Sequence, residues 1–318
     1  MYFPVAGIEV NPLVPPLVAF TISLFTSMGG VSGAFLLLPF QVSILGFTSP
    51  AVSSTNQLFN IVAIPSGVYR YIKEGRMVWP LTWIVIIGTL PGVLVGAIVR
   101  IKYLPDPKDF KFFVGLVLLY IGGRLLKDLL RTKKTAGIST EKRFQQQQFK
   151  KQDQAGTTKP AALDEQFSRV TVQQWTIGRI VYDFYGETYT VNAFSVMALS
   201  LIVGMVGGVY GIGGGAIIAP FFVSFFRLPV YTVAGAALMG TFVTSVAGVI
   251  FYQVLAPYYP TMVIAPDWLL GVLFGIGGFA GMYCGARLQK FMPATVIKWI
   301  LVACLLFTGG TYVGSFLW

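Results

Sequence analysis

Long apolar stretches separated by short polar ones set the rhythm of this chain. Apolar blocks run over about 13–45, 50–71, 78–99, 111–126, 192–226, 230–254, 267–286 and 295–316. A helix that crosses a bilayer needs roughly 20 apolar residues. The blocks at 13–45 and 192–226 are too long for one simple span and are interrupted by glycine, so each predicts a broken helical hairpin. The other blocks predict single spans, three in each half of the chain. Between the halves, 131–190 is polar and carries Gln145-Gln146-Gln147-Gln148. That composition predicts a linker, disordered at least to about residue 165. The segment Val170 to Thr190, with Trp175, Ile180, Tyr182, Phe184 and Tyr185, predicts an interfacial helix lying on the membrane surface.

The two apolar halves repeat each other. Gly30-Val31-Ser32-Gly33 through Pro39-Phe40 matches Gly211-Ile212-Gly213-Gly214 through Pro220-Phe221 at a constant offset of 181. The same offset carries Val52 onto Val233, Gly67 onto Gly248 and Tyr71 onto Tyr252. Gly92 and Gly96 match Gly281 and Gly285 at an offset of 189, after an insertion around Tyr258 to Pro266. Internal repeats of this kind mark secondary transporters, which rock one half against the other.

Loop charge bears on orientation, because juxtamembrane Lys and Arg stay on the cytoplasmic side. Arg70, Lys73 and Arg76 follow the second block, whereas the matching loop, Ala256 to Pro266, has no Lys or Arg. Arg287 and Lys290 follow the seventh block. These positions favour inverted halves. Arg100, Lys102, Lys108 and Lys111 count against that arrangement, since it leaves them outside.

The expected fold is therefore an all-α polytopic membrane protein. It has two homologous half-repeats, each a glycine-broken hairpin plus three full transmembrane helices, with the halves possibly inverted. The chain divides into an N-terminal transmembrane half-repeat (1–130), a cytoplasmic polar linker (131–190) and a C-terminal transmembrane half-repeat (191–318). Composition agrees: 55% of the 318 residues are hydrophobic and 11% charged, against about 25% charged in a soluble domain. The net charge of +11 collects in the loops, with Lys127, Arg131, Lys133, Lys134, Lys142, Arg143, Lys150 and Lys151 in one hydrophilic stretch. The orientation rule explains that excess without a nucleic-acid partner. Met1 to Pro16 has no basic n-region and carries Glu9, which argues against a secretory signal peptide.

Chemistry is narrowed first by what is missing. There is no histidine, so the commonest general base and metal ligand is absent. Cys284 and Cys304 lie in apolar blocks with no metal or redox spacing, and no cofactor or metal is expected. No Asp or Glu sits in the middle of an apolar block, which argues against a relay of protonatable side chains. No HExxH motif exists either, so common hydrolytic mechanisms lack their parts. The chain is not expected to be an enzyme. A coupling proton, if used, would travel on a weak-acid substrate; sodium is the other candidate coupling ion.

The strongest local feature is Gly207-Gly208-Val209-Tyr210-Gly211-Ile212-Gly213-Gly214-Gly215, followed by Pro220. A dinucleotide fingerprint would need a preceding strand and a βαβ unit, and neither is predicted. Two readings stay open. Small residues allow close helix packing in membranes. Alternatively, a helix interrupted near the midplane presents backbone N–H groups that hold an anion without a formal positive charge. Gly29, Gly30 and Gly33, with the hydroxyl of Ser32, offer the same device in the first half. Polar side chains within the spans add to it: Ser53-Ser54-Thr55-Asn56-Gln57, then Asn60 one turn beyond Asn56 on the same face. Thr241, Thr244 and Ser245 occupy the comparable stretch of the second half. Inter-helix hydrogen bonding is the alternative role for all of these. The candidate substrate-binding set is Gly30, Ser32, Gly33, Ser53, Asn56, Gly211, Gly213, Gly214, Gly215, Thr241 and Thr244.

Gly211-Ile212-Gly213-Gly214-Gly215 with Pro220 resembles the motif of the TauE/SafE-like sulfite exporter (TSUP) membrane transporters. Thr55-Asn56, Gly67-Val68-Tyr69-Arg70-Tyr71, Gly75 with Trp79, and Gly92 with Gly96 extend the resemblance across both halves. Two departures stand out: the first glycine motif, Gly29-Gly30-Val31-Ser32-Gly33, falls short of a full GxGGG, and the linker is long. The resemblance implies export or uptake of a small sulfur-containing anion such as sulfite, thiosulfate or an organosulfonate. It also implies a multi-pass protein of a bacterial or archaeal cytoplasmic membrane, in contact with lipid. An anion channel and a non-transporting membrane anion sensor remain as alternatives.

Overall fold

The computed structural model describes residues 1–28, 31–130, 170–184, 186–288 and 294–317. Residues 131–169 of the linker expected at 131–190 and the candidate site residue Gly30 lie outside the described residues, as does Gly29. A short hairpin opens the chain, β1 (Tyr2–Phe3) with β2 (Ile8–Glu9). The helices of the first half are α1 (Val14–Met28), α2 (Ala34–Ser43), α3 (Ala51–Lys73), α4 (Trp79–Lys102) and α5 (Pro107–Leu130). Those of the second half are α6 (Ala193–Tyr210), α7 (Ile218–Ser224), α8 (Val230–Leu255), α9 (Trp268–Leu288) and α10 (Ala294–Leu317). Among the described residues, the segments 79–102, 193–210, 232–258 and 268–285 are long and apolar enough to cross a membrane. The remaining helices are shorter, more polar or only partly described. This is a polytopic α-helical membrane protein.

Residues 170–190 depart from expectation. Instead of an interfacial helix they form a three-stranded antiparallel sheet: β3 (Thr171–Trp175), β4 (Arg179–Phe184) and β5 (Glu187–Asn192). The reason is periodicity. Ile180, Tyr182 and Phe184 are buried at every second position, as are Tyr189 and Val191, and alternation of β-branched and aromatic residues suits a pleated surface. Gly186, at φ 74°, lies in the turn between β4 and β5. The sheet is tied to the helices by Val170, whose N–H donates to the Gly75 carbonyl at 3.0 Å. The hydroxyls of Tyr182 and Thr232 also meet at 3.0 Å, joining β4 to α8.

The helices pack across the halves in matched couples. α4 lies on α6 and α1 lies on α9; α3 lies on α9 and α8 lies on α4; α3 crosses α8 and α5 lies on α10. Small residues make the closest seams. Gly92 of α4 faces the backbone of Leu201, Gly204 and Met205, and Gly96 faces that of Met205, Gly208 and Val209, so α4 and α6 run parallel. Gly277, Gly281 and Gly285 of α9 face the backbone of Pro16, Phe20 and Leu24 in turn, so α9 and α1 also run parallel. Without a hydrophobic drive between helices in lipid, backbone contact over small residues is what holds such pairs. Gly271 against Leu58 and Gly275 against Val62 make α9 parallel to α3, and Gly240 against Val85 joins α8 to α4. Gly248 against Gln57 and Gly235 against Tyr71 make α3 and α8 antiparallel.

A methyl group on Gly208 would fall 2.4 Å from the Val93 carbonyl oxygen, whereas one on Gly123 would meet nothing within 4 Å. Gly208→Ala is therefore expected to destabilise by about 1–3 kcal/mol through overpacking. Gly123→Ala should be neutral or gain up to ~1 kcal/mol from helix propensity. Thermal unfolding of the two variants in one detergent checks the pair; equal midpoints would contradict the seam.

Candidate functional site

Both hairpins break where they meet the crossing of α3 and α8. α6 ends at Gly211, whose φ of 81° is left-handed; the N–H groups of Gly211 and Ile212 both donate to the Gly207 carbonyl, at 2.9 and 3.0 Å. Gly213 takes φ 79°. Two left-handed residues within three positions turn the chain back toward α7, and only glycine adopts that conformation without strain. In the first half α1 stops at Met28 and α2 resumes at Ala34.

A helix break inside an apolar body strands backbone groups that no water can reach. Two asparagines of α3 answer this. The amide nitrogen of Asn56 donates to the carbonyls of Ala34 in the first hairpin and Gly211 in the second, both at 3.0 Å, while its oxygen accepts from Gln41 Nε2 at 3.2 Å. One turn on, Asn60 donates to the Ile212 carbonyl at 2.9 Å and to Ser245 Oγ at 3.3 Å, and its oxygen accepts from Ser32 Oγ at 2.5 Å. Asn56 and Asn60 are fully buried. Each therefore clamps both hairpins at once, with its carboxamide engaged on both ends.

The remaining candidate residues gather at the same place. Ser53 donates weakly to the Val209 carbonyl at 3.4 Å, and its backbone touches Gly211. Thr244 Oγ1 accepts from the Gly214 N–H at 2.9 Å. Thr241 packs against Gly213 and Gly215 but spends its hydroxyl hydrogen on Ala237, one turn back in its own helix. Gly214 lies against Thr89 of α4, and Gly33 lies against Ser23 of α1. Thus Ser32, Gly33, Ser53, Asn56, Gly211, Gly213, Gly214, Gly215, Thr241 and Thr244 form one buried locus.

What the locus leaves free is more informative than what it satisfies. The N–H groups of Gly213 and Gly215 donate no hydrogen bond among the described residues. Around them several buried side-chain atoms also lack partners: Ser23 Oγ and Thr26 Oγ1 beside the first break, Gln41 Oε1, and both amide atoms of Gln57. Buried polar groups are normally satisfied, so a cluster of exceptions needs a physical cause such as a ligand. Proline contributes in a related way. Pro39 lacks the N–H that would bond the Phe35 carbonyl, and that carbonyl instead accepts from Tyr210 Oη at 2.6 Å. Tyr312 Oη donates to the Pro39 carbonyl at 3.2 Å.

Sequence reasoning missed Gln41, Gln57 and Tyr210. Gln41 had a signal, as a lone amide in an apolar block. Gln57 lies within the polar run at 53–57, one position past Asn56, and turns toward Gly248, where a Cβ would collide with its carboxamide.

Two glycine-broken hairpins, clamped together inside a multi-span apolar body with no Asp, Glu, Lys or Arg among the site residues described above, fit a class: a multi-pass α-helical membrane transporter. The chain belongs to the family described as sulfite exporter TauE/SafE, whose model matches residues 16–312. It is also similar to the "Probable membrane transporter protein YunE" of Bacillus subtilis (strain 168), at 22% identity over 298 residues, covering 92% of this chain and 93% of that protein. No solved structure matches it.

Asn56→Ala would leave the Gly211 carbonyl, which has no other donor among the described residues, bare in the interior. It should cost about 1–3 kcal/mol of stability. Thr241→Val removes only a bond within its own helix and should cost under ~1 kcal/mol. Chemical or thermal denaturation in detergent ranks the two; a larger loss for Thr241→Val would contradict the clamp.

Proposed function

We propose that this protein carries a small sulfur-containing oxyanion (sulfite, thiosulfate or an organosulfonate) across the cytoplasmic membrane by alternating access. The observation that carries the reading is the pair of unpartnered N–H groups at Gly213 and Gly215, buried at a helix break. Backbone N–H groups in a low-dielectric setting bind an oxyanion through charge-assisted hydrogen bonds. Three acceptor oxygens on one sulfur suit a cradle of several converging donors. The hydroxyls of Ser32, Ser53 and Thr244 would complete it once the hairpins shift and free them from Asn60, Val209 and Gly240. Neutral donors also favour release, since none of the candidate site residues carries a fixed positive charge.

The helix directions support an inverted repeat, with 1–130 and 191–318 as its halves. α1 is parallel to α9 and α3, whereas α6 is parallel to α4 and α8, so α1, α3 and α4 oppose their counterparts α6, α8 and α9. Inverted halves exchange conformations by symmetry, which is the usual basis of alternating access. The face bearing the end of α3, the β-sheet and the end of α9 carries Arg70, Lys73, Arg76 and Arg287, with Lys127 at the end of α5, against Lys102, Lys108 and Lys111 on the opposite face; the positive-inside rule favours the first as cytoplasmic. The candidate site residues include no carboxylate. Asp267, the buried acid among the described residues, has its carboxylate engaged with the N–H groups of Ala6 and Leu270. Any coupling proton then rides on the anion.

Purified protein titrated with sulfite, thiosulfate, sulfoacetate and sulfate by calorimetry, and then assayed for uptake in liposomes, tests the reading. Binding and saturable flux of at least one sulfur anion are expected. Gly214→Leu, which drives a side chain into Thr89, should lose both by at least about tenfold, the equivalent of ~1.4 kcal/mol. Absence of flux for every sulfur anion in the wild-type protein would overturn the proposal.

A further inference from the structure

Three charged side chains are buried among the described residues: Arg76, Arg100 and Asp267. Two have opposite or complementary partners. Arg76 pairs with Glu74, and Asp267 accepts from backbone N–H groups. Arg100 differs. One of its terminal nitrogens donates to the Leu104 carbonyl, and its guanidinium lies 3.7 Å from the centroid of the Phe110 ring. Its Nε and Nη2 are buried with no hydrogen-bond partner, and no carboxylate pairs with it among the described residues.

The neighbour of Arg100 is equally unusual. Tyr252 of α8 is fully buried, its hydroxyl has no hydrogen-bond partner among the described residues, and it clusters with Ala97 and Ile101, which flank Arg100 on α4. Ser53 in turn touches Gly211. Arg100, Tyr252 and Ser53 are thus three fully buried polar residues set between the end of α4 and the glycine break.

The matching place in the other half supplies a control. Tyr71 stands at the same repeat position as Tyr252 and also has an arginine, Arg76, whose guanidinium lies 4.7 Å from its ring centroid. There the protein provides the counter-ion itself, in Glu74. At Tyr252 it provides none among the described residues. A guanidinium with free donors on one edge presents the fork that fits two oxygens of an oxyanion, and a buried charge without a partner is costly to hold.

We propose that Arg100 and Tyr252 form a second anion subsite, where a small oxyanion supplies the missing counter-charge between the glycine cradle and the face opposite the β-sheet. The subsite rests on the transport reading above: it is where the same anion waits after leaving the cradle or before entering it. Its place on the far face from Arg70 and Lys73 makes it one-sided. It captures ligand from the side bearing residues 256–266, and Tyr252 hands the anion to Ser53. This also accounts for Arg100 as a charge that lies within the protein instead of in an external loop.

The test uses full-length protein, with sodium sulfite as the probe. Variants Arg100→Gln, Arg100→Lys and Tyr252→Phe are compared with wild type by melting-point shift on sulfite addition and by flux in liposomes of sorted orientation. Arg100→Gln is expected to raise KM at the face bearing 256–266 by at least about tenfold, with a smaller change at the other face. Tyr252→Phe should raise it a few-fold, and Arg100→Lys should recover part of the loss. Should Arg100→Gln fail to fold, Tyr252→Phe, which keeps the ring, decides the matter. Unchanged KM at both faces in the folded variants overturns the subsite and leaves the transport reading intact. A sulfite-induced melting shift lost in Arg100→Gln, without flux in the wild type, upholds the subsite and overturns transport.

Discussion

A helix that breaks inside a membrane exposes carbonyl and N–H groups to surroundings with nothing to offer them. Everything distinctive in this structure follows from how those groups are treated. The carbonyls of Gly211 and Ile212 are satisfied by the amides of Asn56 and Asn60. The N–H of Gly214 is satisfied by Thr244. The N–H groups of Gly213 and Gly215 are left without partners among the described residues. At Gly211 and Ile212 the acceptors are closed, while at Gly213 and Gly215 donors are left open, and open donors are what an anion requires. Had the asparagines faced the N–H groups instead, the same break would have favoured a cation.

The clamp also couples the two halves. Asn56 bonds Ala34 and Gly211, and Asn60 bonds Ser32 and Ile212, so neither hairpin can move without altering the other's hydrogen bonds. The glycine seams play a different part. α4 against α6 and α1 against α9 meet backbone to backbone, which makes each a stiff pair joining an element of one half to an element of the other. Rigid pairs around a polar, reversible crossing are a mechanical arrangement suited to rocking.

Much of this is legible in the sequence because membranes impose coarse rules. Block lengths point to the spans, glycine runs point to the breaks, and polar residues at 53–60 stand out against an apolar background. The offset between the halves pairs Tyr71 with Tyr252 before any contact is known. At 170–192 aromatic content suggests an interfacial helix, whereas the period of two in Ile180, Tyr182 and Phe184 is the signal that the sheet obeys. Arg100 reads as a loop charge beside Lys102, since sequence shows proximity to a helix end and says nothing about Phe110 folding back over it. Gln57 stands in the polar run but outside the candidate set, because its orientation depends on Gly248, a residue of another helix. Side-chain direction at a helix crossing is a tertiary property, and periodicity does not encode it.

The central claim is that the clamped break carries its anion one at a time, exposed to alternate faces. Counterflow tests it most directly. Liposomes holding the wild-type protein are loaded with unlabelled sulfite and diluted into a trace of radiolabelled sulfite. Alternating access predicts that label accumulates transiently above its equilibrium level, because outward-moving unlabelled anion returns carriers to bind label. Label that rises only to equilibrium, with no overshoot at any internal load, would contradict the account and describe a pore.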